Sequence, residues 1–144
     1  MGLFRFFIDP RGRIGRQQYW LGMLGVALAI AALIGTIWTT GQLLLGIPLI
    51  AFIAVSVYSL AIKRLHDRNK TGWWTLLFIA LPTGLDRLGN RFPEDSFEWW
   101  VVALVSFALS LWGVIEIGFR RGTDGENEYG PDPIGKPEVT APAV

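Results

Sequence analysis

The side chains able to do chemistry are few, and they fall in short polar segments. One is Lys63-Arg64-Leu65-His66-Asp67-Arg68-Asn69-Lys70-Thr71-Gly72-Trp73-Trp74, which holds the only histidine. An imidazole beside a carboxylate suggests general acid–base work or a metal hydrolase. A hydrolytic metal site needs several more His or carboxylate ligands at fixed spacing, and none accompany His66 and Asp67. If a helix runs through this segment, Asp67 lies one turn from Lys63 and Arg64, within pairing reach. Thr71 is then placed to cap a following helix. A second segment, Asp9 to Trp20, carries Arg11, Arg13 and Arg16 among glycines that let the chain turn close to a membrane. Such arginines reach lipid phosphates, each worth on the order of 1 kcal/mol near an anionic leaflet. The preceding Leu3, Phe4, Phe6, Phe7 and Ile8 are expected to lie in the interface as a short anchor. The third segment, Arg121 to Pro133, alternates acids in the manner of a calcium loop. That template requires Gly at its sixth position, and counting from Asp124 the sixth residue is Tyr129. No metal is expected there; Gly and Pro predict a turn-rich, extended tail. Glu116 interrupts an apolar run, which by default raises a functional suspicion. Arg120 follows it by four residues, in the favourable acid-before-base order, so a snorkelling ion pair is the expected reading.

The elements that must position these groups are membrane helices. Of 144 residues, 51% are hydrophobic and 17% charged, against about a quarter charged in soluble domains. From Gln17 to Ile62 there is no Asp, Glu, Lys or Arg, and a soluble fold could not solvate its surface with such a run. The fold class is therefore an all-α integral membrane bundle of four helical segments. Tyr19–Trp38 and Leu43–Ile62 each match the roughly 30 Å hydrocarbon thickness, joined by the tight connection Thr39-Thr40-Gly41-Gln42. Gly72–Leu85 is short and carries Pro82, which suits a tilted or re-entrant segment; Trp99–Phe119 is the fourth. Residues 1–18 form a basic interfacial arm, 19–121 the membrane domain, and 122–144 an acidic Gly/Pro-rich tail whose end is expected to be disordered. The absence of Cys removes disulfides and thiol chemistry.

Lys and Arg set the orientation. Four lie in the N-terminal arm and four between Lys63 and Lys70, none in the first hairpin loop, and Arg120, Arg121 and Lys136 follow the last apolar run. Both termini are thus expected in the cytoplasm. Tyr19, Trp20, Trp73 and Trp74 fall at that interface and Trp38, Trp99 and Trp100 at the other, as amphipathic rings prefer. A cleaved signal peptide is disfavoured, because 18 residues precede the apolar run and that run exceeds a signal core. Gly22, Gly25, Ala29, Ala32 and Thr36 form one small-residue stripe and Ala103, Ser106, Ser110 and Gly113 another, suited to close helix packing or to a second copy of the chain. The two basic segments face a net-acidic tail, which is expected to fold back on them as a polar cap.

The expected function is non-enzymatic: binding of anionic lipid headgroups, or of a membrane-protein partner, through that cap. Arg13, Arg16, Arg64, His66, Asp67, Arg68, Trp73, Asn127 and Tyr129 are the candidate binding residues, with Glu116 the intramembrane ionisable group and no catalytic residue assigned. An alternative is a small oligomeric transporter or channel, which needs Glu116, Ser56, Ser59, Ser106 and Ser110 to converge at the midplane. A third is a lipid-directed enzyme, needing His66, Asp67 and an arginine at one headgroup-sized pocket. No cofactor, metal or nucleic-acid partner is expected.

Three motifs in order resemble the domain of unknown function 805 family of small bacterial inner-membrane proteins, the YhaH-like group. They are Gly12-Arg13-Ile14-Gly15-Arg16 with Tyr19-Trp20, then Lys63-Arg64-Leu65-His66-Asp67-Arg68 with Gly72-Trp73-Trp74, then Gly125-Glu126-Asn127-Glu128-Tyr129-Gly130-Pro131-Asp132-Pro133. The resemblance spans roughly residues 4–133 and implies an integral inner-membrane protein with no established activity or cofactor.

Overall fold

A computed structural model describes residues 2–135. Lys136 and the end of the tail, including its expected disorder, lie outside the described residues. Among the described residues five helices follow in order: α1 (Leu3–Ile8), α2 (Arg16–Thr40), α3 (Ile47–Asp67), α4 (Leu81–Gly89) and α5 (Phe97–Val114). A π-helical turn, Leu76–Ala80, leads into α4, and a second, Ile115–Phe119, extends α5. The helices Arg16–Thr40, Ile47–Asp67 and Phe97–Phe119 are each long and apolar enough to cross a membrane. The molecule is an all-α membrane bundle.

Local chemistry sets the helix ends, and several differ from the apolar runs. α2 starts at Arg16, before the expected Tyr19, because Gly15 is extended and the Gln18 side chain returns to accept the Gly15 N–H at 3.1 Å. It runs to Thr40, where the Thr36, Thr39 and Thr40 hydroxyls donate back to carbonyls one turn earlier and supply their own polar partners. The expected second helix begins at Leu43, but only a 3₁₀ turn forms over Leu43–Gly46 and the α-helix starts at Ile47. Pro48 explains the shift: it lacks an N–H and fits only the first turn of a helix. At its other end α3 continues past Ile62 to Asp67. It stops where Asn69 takes a left-handed conformation (φ 54°) and the Lys70 N–H returns to the Leu65 carbonyl at 2.9 Å.

The third segment is helical from Trp74 to Gly89, displaced toward the C-terminus from the expected Gly72–Leu85. At roughly 24 Å it falls short of a hydrocarbon core of about 30 Å. It packs on α5, where Ser106 donates to the Pro82 carbonyl at 3.2 Å and to the Asp86 carboxylate. The Thr71 hydroxyl does not cap it; the Thr71 carbonyl instead accepts the Trp74 N–H. α5 starts two residues earlier than Trp99, with Ser96 accepting the Trp99 N–H at 3.2 Å as an N-cap worth about 1 kcal/mol.

Close packing gathers at one end of the bundle. Ile14, Val26, Leu60, Ala61, Leu65, Phe78 and Ile117 are buried, drawn from the first half of α2 and the residues before it, the end of α3, the π turn before α4 and the end of α5. The far half of α2 presents Leu28, Ile30, Ile34 and Trp38 outward, as a lipid-facing helix must. α1 is only in part the expected interfacial anchor. Leu3 and Phe4 are exposed, but Phe6 and Phe7 plug into the bundle against Gly22 and Gly25, whose missing side chains leave the space. Only the first half of the small-residue stripe on α2 makes this seam; Ala32 is exposed. The tight end of the bundle is also its polar end.

Candidate functional site

Asp67 is the centre of the polar end. The last turn of α3 holds Arg64, a cation suited to a helix C-terminus, whereas the carboxylate of Asp67 there opposes the dipole. Two guanidiniums offset that. Arg13 donates from Nε at 3.2 Å and from Nη2 at 3.1 Å to Asp67 Oδ1, and Arg64 Nη1 donates to Oδ2. The three side chains are 1%, 0% and 4% exposed for Arg13, Arg64 and Asp67. Arg13 also reaches the tail, donating from Nη2 to the Thr123 carbonyl at 2.7 Å and from Nη1 to the carbonyls of Gly125 at 2.7 Å and Gly130 at 3.0 Å. Arg64 donates its other arm to the Arg120 carbonyl. The Asp67 carbonyl accepts the Thr123 N–H at 2.8 Å and its hydroxyl at 3.0 Å. At Gly122 a Cβ would collide with the Asp67 carboxylate, which two arginines hold in place, so glycine lets the chain leave α5 across it.

The tail therefore folds back on the basic segments, but through different chemistry from the expected charge pairing. Its carbonyls, not its acids, meet Arg13. Asp124 pairs with Arg121 at 2.8 Å in the tail itself. Asp132 accepts the N–H groups of Gly125 at 3.1 Å and Ile134 at 2.9 Å, which hold its carboxyl below the usual carboxylate range.

His66 serves the same junction. Its Nδ1 donates to the Gly12 carbonyl at 3.2 Å, and its ring stacks on Tyr129 with centroids 3.9 Å apart and planes 5° apart. Asn127 Nδ2 donates to the His66 carbonyl at 2.9 Å and to the Thr123 hydroxyl at 2.8 Å, while its Oδ1 accepts the Tyr129 N–H and closes the turn. The Asp67 carboxylate is taken by two arginines and makes no hydrogen bond to the imidazole. The adjacent pair His66-Asp67 thus does not form an acid–base dyad.

Glu116 makes a second cluster. Its carboxylate is 1% exposed and pairs with Arg120 at 2.9 Å, with Lys70 at 2.7 Å and with Arg68. The π turn at the end of α5, closed by the Arg120 N–H on the Ile115 carbonyl, presents Glu116 to the connection after α3. The serines named for a transport path do not converge. Ser106 faces Pro82 and Asp86, Ser59 lines one groove and Ser110 another.

Of the candidate residues, Arg13, Arg64, His66, Asp67, Asn127 and Tyr129 meet at one junction and Arg68 joins Glu116. Trp73 stands apart, 77% exposed. Arg13 and Arg64 are buried with their donors directed inward, which removes them from the groups able to reach a headgroup. Arg16 differs. It is exposed, its Nη1 makes one long contact to the Phe119 carbonyl at 3.4 Å, and no carboxylate among the described residues pairs with it. It lines three cavities: a polar one of about 370 Å³ with Asp67, Arg121, Thr123, Asp124 and Asp132, another of about 300 Å³ with Gln17, Gln18 and Pro133, and an apolar groove of about 790 Å³ with Trp20, Leu21, Leu24 and Phe119. Trp20 is held there by its Nε1 donating to the Gly118 carbonyl at 3.1 Å.

Thr123, Lys63, Lys70, Trp20 and Asp132 join the site beyond the residues expected from the sequence. Lys63 donates to the Phe6 carbonyl at the end of α1 and lies 4.7 Å from the Phe6 ring centroid. A hydroxyl in the tail and a lysine on α3 carry no local signal of such long-range partners. The signal for Trp20 was present in its interfacial position.

Residues 7–131 match a family described as "Protein of unknown function (DUF805)". Among curated relatives, an uncharacterized protein YiiR of Escherichia coli (strain K12) is 32% identical over 137 residues, covering 92% of this chain and 90% of that protein. The inner membrane protein YhaI of the same organism is 30% identical over 140 residues, with 92% of each chain covered. The inner membrane protein YhaH is 25% identical over 134 residues, with 88% of each covered. No solved structure matches. With the three motifs, the apolar helices, the family match and these relatives in agreement, the chain belongs to the DUF805 family.

Proposed function

We propose that this chain is a multi-pass inner-membrane protein, non-enzymatic, that binds membrane phospholipid by its phosphate at the start of α2, with both termini in the cytoplasm. The inner-membrane location is carried over from the names of YhaI and YhaH. The observation that carries the binding site is Arg16. This exposed guanidinium, without a carboxylate partner among the described residues, borders both polar cavities and the apolar groove. A headgroup phosphate needs a cation at the membrane interface, and an acyl chain needs an apolar path leading away from it. Arg16 supplies the first, and Trp20, Leu21, Leu24 and Phe119 the second. The start of α2 adds to it, because the first N–H groups of a helix have no intrahelical acceptor and carry a partial positive charge. The expected grip of Arg13 on lipid is replaced by this one. Arg13 holds the scaffold that aligns Arg16.

The test is native mass spectrometry of detergent-purified protein. Wild type retains phospholipid, Arg16→Gln loses most of it, and Asn90→Gln at a remote exposed loop changes nothing. Equal retention in Arg16→Gln sinks the reading. An inside/outside reporter fused after Val144 tests the orientation.

A further inference from the structure

The larger polar cavity beside Arg16 carries charge of both signs. Arg121 and Asp124 neutralise one another at 2.8 Å. Asp67 is neutralised by Arg13 and Arg64. Two charges remain: Arg16 and Asp132, neither with an oppositely charged partner within ion-pair distance among the described residues. Asp132 is held in place by the Gly125 and Ile134 N–H groups, one on each carboxylate oxygen. Each oxygen keeps a further lone pair for a donor. Its partial exposure keeps it reachable.

We infer that this cavity selects a zwitterionic headgroup, a phosphate bearing a primary ammonium, with the phosphate on Arg16 and the ammonium on Asp132. The inference rests on the phospholipid reading above and adds headgroup choice to it. A volume of about 370 Å³ lies in the range of small-ligand sites. A primary ammonium has three N–H donors for a carboxylate, whereas a quaternary ammonium has none and is usually held by aromatic faces. Among the described residues the cavity lining includes no aromatic ring. A glycerol headgroup offers only neutral hydroxyls, which make weaker hydrogen bonds to a carboxylate than a cation does. The order of preference is therefore ethanolamine-type over glycerol-type over choline-type lipid. The source is the membrane lipid and not a soluble phosphoamine, because the apolar groove meets this cavity at Arg16.

The experiment uses the full chain in nanodiscs holding equal parts of phosphatidylethanolamine, phosphatidylglycerol and phosphatidylcholine of matched chains. Lipid retained on release into the gas phase is counted by native mass spectrometry. The expected result is a roughly two- to fivefold preference for the ethanolamine lipid, what a partly exposed ion pair supplies. Asp132→Asn removes that preference but keeps Arg16-dependent retention; Glu94→Gln, in the exposed loop before α5, leaves the preference in place. Because Asp132→Asn also alters a turn, the wild-type comparison of ethanolamine with choline lipid decides alone. Equal retention of all three lipids overturns the headgroup inference while leaving the phosphate site standing. Retention that is unchanged in Arg16→Gln overturns the underlying reading instead. If soluble O-phosphoethanolamine at equal concentration displaces the retained lipid, the membrane lipid is not the ligand and the inference falls.

Discussion

Replacing Asp67 by Asn keeps the shape of the side chain and removes the one charge that two buried guanidiniums share. The side chains of Arg13 and Arg64 are 1% and 0% exposed, so water cannot take over the pairing. Removing one partner of a buried ion pair costs about 3–5 kcal/mol, because the remaining charge stays desolvated. Glu116→Gln provides the contrast. That carboxylate is equally buried, but its partners Arg68, Lys70 and Arg120 are 14%, 27% and 58% exposed, so they rehydrate more readily than Arg13 and Arg64. A cost of about 1–2 kcal/mol is expected there, between the exposed and buried cases. Arg13→Met removes two bonds to Asp67 and three to tail carbonyls, while Asp67 keeps Arg64. It should cost about 2–3 kcal/mol, the range of a hydrogen bond to a charged group. The double substitution Arg13→Met with Asp67→Asn should fall short of the sum by at least about 1 kcal/mol, as expected for residues in contact. The assay is denaturant unfolding in detergent micelles, with hydrogen exchange read separately for residues 122–130. Asp67→Asn and Arg13→Met should both raise exchange in that segment, and Arg16→Gln should not. A cost below about 1 kcal/mol for Asp67→Asn with unchanged tail exchange would refute the claim that this network fastens the tail.

Three further outcomes follow from single contacts. Gly122→Ala places a Cβ against the Asp67 carboxylate, so it should release the tail with a loss comparable to Arg13→Met, visible as the same hydrogen-exchange pattern. Tyr129→Ala loses the stack on His66 and should cost about 0.5–1.5 kcal/mol, while Tyr129→Phe keeps the ring and should be nearly neutral by thermal unfolding. The carboxyl of Asp132 is held low by backbone N–H groups, so its contribution is present above the ordinary Asp value of about 3.9 and is lost as pH falls through its lowered folded value. Exchange of the Gly125 and Ile134 N–H groups, corrected for intrinsic rate, should therefore rise on acidification below about pH 4; if it stays flat, those bonds do not hold the turn.

Much of the architecture was legible because lipid imposes it locally. An apolar run without charge must become a helix with all its backbone bonds internal, whatever it packs against. Prolines and caps then trim the ends, and Pro48 shows how one residue moves a start from Leu43 to Ile47. Near neighbours along a helix were legible for the same reason: Arg64 with Asp67 at three residues and Glu116 with Arg120 at four. The partners Arg68 and Lys70 of Glu116 were not, since they come from another helix end.

The charge segregation, the membrane helices and the polar segments were determined by the sequence alone, because solvation by lipid or water acts on each residue type wherever the chain goes. What only tertiary structure decided is which of two arginines in one short motif stays free. Arg13 and Arg16 share their charge and nearly all their surroundings in sequence. Arg13 precedes the helix and turns inward to partners 54 and more than 100 residues away, whereas Arg16 is the first residue of α2 and faces out at the mouth of three cavities. Burial of a charge depends on partners brought together by the fold, and those partners leave no trace in the spacing of the residues beside it.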